Sequence, residues 1–110
     1  MNIPGEIKIG GIDYIIENEK DLNDGNRMLS GQIVYQEGKI LLNSDIKSEH
    51  YKGITLWHEI LHGIAENACL EFDEADEETI IDVFAKGIYQ VLQDNCEALF
   101  GKVGDAIEGG

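Results

Sequence analysis

The chain has 110 residues, enough for one domain with a modest core, and a flexible tail is expected from about residue 101. Its 8 Lys and Arg stand against 22 Asp and Glu, a net charge of −14, which argues against the two polyanions, nucleic acid and anionic membrane, and favours neutral or basic partners. No apolar run approaches the roughly 20 residues that span a bilayer, and Met1-Asn2-Ile3-Pro4-Gly5 lacks the pattern of a secretory signal, so a cytoplasmic location is expected.

Residues Glu6 to Glu17 read as a hairpin. Ile7 and Ile9 alternate with polar residues before Gly10-Gly11, and Ile12, Tyr14 and Ile16 alternate after it. Gly-Gly supplies the positive φ angles of a two-residue turn. Asn18 to Ser30 is a polar loop; its acids lack the spacing of a calcium loop. Gly31 to Gln36 and Lys39 to Asn43 read as a second hairpin around Glu37-Gly38. Together these predict an antiparallel sheet of three or four strands with one face needing cover.

Ser48 starts a predicted helix that runs to about Ala68. Ile54, Trp57, Leu61, Ile64 and Ala65 form one apolar stripe, and Leu56 and Ile60 a second. A helix apolar on two sides is buried on two sides. Gly53 and Gly63 each cost roughly 1 kcal/mol of helix propensity, which points to close approach by a neighbour. After an acidic connection, a second helix is expected from about Ala75 to Gln93, its core stripe being Ile81, Phe84, Ile88 and Val91 or Leu92. The short connection makes the two helices antiparallel neighbours, giving an α+β fold with the first helix central. Cys69 and Cys96, about 25 Å or more apart on this reading, are too distant for a disulfide and should be free, partly buried thiols.

The chemistry concentrates on the first helix, in His58-Glu59-Ile60-Leu61-His62, a His-Glu-x-x-His pattern. Residues one helical turn apart lie about 40° from each other around the axis and about 6 Å along it. His58 and His62 therefore point the same way and can offer ring nitrogens to one Zn²⁺ ion. Glu59 lies beside them, placed to act as general base on a water that the metal activates. Catalytic zinc usually takes three protein ligands, so a third is needed. His50 is about 12 Å from His58 along the same helix and is better read as a surface residue. The acidic start of the second helix packs beside His62. Glu78 is the favoured third ligand, Glu77 the alternative, and Glu74 and Asp76 are read as helix-start acids. In Glu78-Thr-Ile-Ile-Asp82, a metal-binding Glu is followed one turn later by an Asp able to orient a ligand histidine.

These motifs resemble the gluzincin zinc peptidases. The strand-strand-helix-helix order and small size are more similar to minimal ImmA/IrrE-type metallopeptidases. The stretch from Thr55 to His62, with Glu77 to Asp82 and Gly87 to Asn95, resembles small phage and prophage HExxH proteins. The resemblance covers roughly residues 5 to 95. It implies a minimal zincin-like fold, with His58, His62 and Glu78 as zinc ligands, Glu59 as general base and Asp82 behind them. It also implies that a peptide or protein substrate pairs with an edge strand at Lys39 to Asn43. Neither Tyr51, about 10 Å along the helix from the site, nor Tyr89, about 16 Å from Glu78, fits the oxyanion-stabilising role of larger gluzincins. The rival expectation is a non-catalytic module in which zinc ties the two helices together and the protein binds a partner.

Overall fold

The computed structural model describes residues 3–101, so the expected tail lies almost wholly outside the described residues. Strands β1 (Glu6–Ile9) and β2 (Ile12–Glu19) form the first hairpin; Gly10 and Gly11 turn it with φ of 58° and 82°. Strand β3 (Gly31–Val34) is followed by a 3₁₀ turn at Tyr35–Glu37, by strand β4 (Lys39–Asn43), and by helices α1 (Glu49–Asn67) and α2 (Glu74–Phe100). The Ser48 hydroxyl caps α1 by accepting from the Tyr51 N–H at 3.2 Å. Helix α2 runs past the expected end at about Gln93, kinks at Asn95 and resumes to Phe100.

The fold is α+β, but the sheet is mixed, not antiparallel. Its order is β1-β2-β4-β3, with β4 parallel to β2. Each hairpin is antiparallel as expected; the join between them is not. The apolar run Ile40-Leu41-Leu42 takes the centre, where Ile40 and Leu42 are fully buried. The shorter, half-buried β3 is left at the edge. This arrangement corrects the expected peptide-pairing edge: Lys39 to Asn43 is an interior strand with neighbours on both sides.

One sheet face carries Ile9, Tyr14, Ile40 and Leu42, which pack with Leu56 and Ile60 of α1 into the core. Helix α2 lies against α1, so α1 is the middle layer. Two details of the expected stripes are corrected. Ile64 is exposed, because Gly63 and Ile60 occupy the sheet-facing side of α1. Phe84 and Val91 are also exposed, because the outermost helix buries only a narrow stripe, Ile81, Ala85 and Tyr89, four residues apart. Cys69 and Cys96 are free but exposed rather than partly buried. No helix among the described residues is long and apolar enough to cross a membrane.

The glycines of α1 mark close packing. A Cβ at Gly53 would run into the ring of Tyr89, which is fully buried, and one at Gly63 would press on Ile9 and Ile33. Gly87 in α2 has nothing near it. Alanine should therefore act oppositely at the two positions. Gly53→Ala is expected to destabilise by about 1–3 kcal/mol through overpacking. Gly87→Ala should stabilise by about 0.5–1 kcal/mol through helix propensity alone. Urea midpoints of the two variants check both signs.

Candidate metal centre

Helix α1 puts His58 and His62 on one face, one turn apart, and antiparallel packing brings the first turns of α2 alongside. Glu77 and Glu78 then meet His62 from different sides of its ring. The Glu77 carboxylate accepts from the His62 Nδ1–H at 2.9 Å. That bond fixes the tautomer and leaves the Nε2 lone pair of the neutral ring pointing away from Glu77. It points at Glu78 Oε1, 2.8 Å away, and at His58 Nε2, 3.2 Å away. His58 Nε2 lies 3.3 Å from the other Glu78 oxygen.

Two ring nitrogens and a carboxylate are thus gathered close together, and a shared proton or a cation makes that arrangement favourable. His58, His62 and Glu78 can together hold a metal ion. Their separations can be compared with what a tetrahedral site requires. Ligands at about 2.0–2.1 Å from zinc stand about 3.3 Å from one another, and the two histidine nitrogens are 3.2 Å apart, with one Glu78 oxygen against each. The donor set, two imidazoles and a carboxylate, is also one that suits zinc chemically. Burial, and then the neighbouring His62, lower the pKa of His58, against the pull of Glu78. The neutral, ligating form is favoured as a result.

Glu59 is buried beside this group. Desolvation pushes its carboxyl up to about 7, while His62 pulls it down, Glu78 raises it, and the Ile33 backbone amide lowers it. A cleft of about 600 Å³ opens over His58, Glu59, His62 and Glu78, with β3 as one wall. The backbone of that wall is readable. Asn43 N–H donates to Ser30 C=O at 2.8 Å, so alternation along the β3–β4 ladder turns the N–H and C=O of Gly31 and Ile33 outward. The free edge of the sheet therefore runs past the three donors.

The structure brings together all four residues singled out in the motif reading: His58, Glu59, His62 and Glu78. Of the alternatives, Glu77 supports His62 from behind, and Glu74 lines the cleft. His50 packs edge-on against Tyr89, its ring 4.9 Å away, well apart from the donor set. Asp82 does not hold a histidine. It accepts from Lys86 Nζ at 2.9 Å and acts on His58 only through space. Tyr35 was not foreseen. Its hydroxyl donates to the His62 carbonyl at 3.2 Å. Burial, and then Glu66, Glu77 and Glu59, push its pKa up to about 12, so it stays a donor. Nothing near Tyr35 in sequence announces this contact, which spans 27 residues. No family model matches the chain, and no curated protein or solved structure does either.

Proposed function

We propose that the protein is a minimal zincin-like metallopeptidase of gluzincin and ImmA/IrrE-like character. In this reading His58, His62 and Glu78 hold Zn²⁺, and Glu59 is the general base. The observation that carries it is the convergence of three donors at the floor of an open cleft, with a buried carboxyl of raised pKa directly beside them. Bound zinc supplies Lewis acidity toward a carbonyl and lowers the pKa of water to about 7. Glu59 takes the proton of the attacking water and passes it to the leaving amine. A base with a pKa near the working pH does this best. A nearby cation draws the Glu59 pKa below its metal-free value, keeping the carboxylate ready to accept. Glu77 holds the His62 ring in its ligating tautomer. The backbone of Gly31 and the carbonyl of Ile33 offer groups with which an extended peptide adds a strand beside β3.

The rival, a zinc-tied binding module, is disfavoured by the form of the site. A structural zinc is usually closed by a fourth protein ligand. Among the described residues the converging set has three, and the Glu78 side chain is 54% exposed at the cleft. The test is to load the protein with zinc, incubate it with a mixed pool of unfolded peptides, and read cleavage products by mass spectrometry. Cleavage that a chelator removes and zinc restores is expected. Full zinc occupancy without any cleavage would favour the binding module.

A further inference from the structure

A second concave surface lies between α1 and α2, near their connection and outside the cleft. Leu61 and Ile64 line it from α1, Ile80 and Phe84 from α2, and Leu70 and Phe72 from the connection, around a groove of about 170 Å³. Leu70 is 53% exposed, Phe72 46% and Phe84 59%, so the apolar cluster is open to solvent. Contiguous apolar surface of this kind marks an interaction site. Glu77, which lines the groove, is acidic, and so is the connection that supplies Leu70 and Phe72. No Lys or Arg occurs between Lys52 and Lys86, while Glu71, Asp73 and Glu74 interleave with or follow Leu70 and Phe72, and Glu77 lines the groove itself.

We propose that this groove docks a basic amphipathic helix of a partner protein, with apolar side chains in the groove and Lys or Arg on the acidic rim. Charge complementarity selects the occupant. A second copy of the chain would set the acids of one rim against those of the other, on two molecules of net charge −14. An anionic membrane is repelled for the same reason. A helix is the matching shape, because the groove is walled by two helices whose ridges accept anchors three and four residues apart. The occupant would also touch Glu77, whose carboxylate holds the metal-donor His62. The inference does not depend on peptidase activity.

The test uses a labelled synthetic helix of about five turns, with Leu and Phe along one face and Lys elsewhere, and a scrambled isomer of equal charge. Binding is read by fluorescence anisotropy. The amphipathic peptide should bind at least about tenfold more tightly than its isomer. Phe84→Glu and Leu70→Glu should each weaken it by about tenfold or more. Ile15→Glu adds the same charge on the open face of the sheet, where Ile15 is 48% exposed, and should change binding less than about twofold. Phe72→Ser, which adds no charge, should weaken binding as well, and far-UV spectra check that each variant keeps its fold. Equal binding of the two peptides, or equal weakening by Ile15→Glu and Phe84→Glu, would overturn the proposal. So would a dimer in sedimentation that Phe84→Glu dissociates, since a second copy would then be the occupant.

Discussion

Glu59→Gln should leave zinc affinity within about threefold of wild type and lower peptide hydrolysis by roughly 10²–10⁴, the usual contribution of a positioned general base. Gln matches Glu in size and the residue is not among the converging donors, so the loss would be in kcat. Equal turnover by the variant would remove Glu59 from the mechanism. The same substitution has a second expected consequence in the metal-free protein. Glu59 titrates near 4.5 when unfolded and at about 7 when folded. Between those values the folded state binds more protons than the unfolded one, so stability falls as pH rises through the window. The component is fully present below pH 4.5, is lost by about pH 7, and amounts to about 3 kcal/mol. Denaturant midpoints of metal-free wild type should show this decline, and those of Glu59→Gln should lack it. The burial that would suit Glu59 to act as a base is thus also a source of instability at neutral pH.

Zinc should raise the unfolding temperature of the wild type and have no such effect on His62→Ala. A ligand at a thousandfold excess over its Kd stabilises the folded state by about 4 kcal/mol. For a domain of this size that corresponds to roughly 15 °C or more. Glu78→Gln should remove most of the shift. Glu77→Gln should retain a reduced one, because loss of a group that orients a ligand histidine costs about 10- to 100-fold in metal affinity. The order of the two variants discriminates the ligand from its support. Glu77 sits at Nδ1 of His62 and so lies behind the ring, away from the point that Nε2 faces. If Glu77→Gln abolished the shift while Glu78→Gln kept it, the assignment of the third ligand would be reversed. A full shift in His62→Ala would place the zinc elsewhere on this acidic surface.

Much of the site was legible in the residues. Helical spacing alone puts His58 and His62 on one face, and the short connection after α1 forces the acidic start of α2 beside them. Ser48 and Gly10-Gly11 announced their cap and turn because those signals act within a few residues. Glu77 and Glu78 were harder to separate. Adjacent helix positions differ by about 100° around the axis, and only the rotation of α2 about its own axis decides which of them faces the metal donors and which reaches the far side of the ring. Asp82 was drawn toward a histidine by spacing, but Lys86, one turn further along the same helix, takes its carboxylate.

The sequence by itself determined the local elements, the pair of histidines, the glutamate between them and the acidic stretch that packs beside them. These follow from periods and short-range bonds that do not depend on the rest of the chain. Only the tertiary structure decided that β4 lies inside the sheet and β3 at its edge, that Tyr35 comes up beneath His62, and that Leu70, Phe72 and Phe84 gather into an open groove. Those outcomes depend on how separate elements pack against one another. Such contacts join residues far apart in sequence, and many pairings satisfy the same alternation equally well. The apolar β4 runs through the core while the short β3 is left beside the metal donors, and that arrangement puts the free edge of the sheet where a substrate would lie.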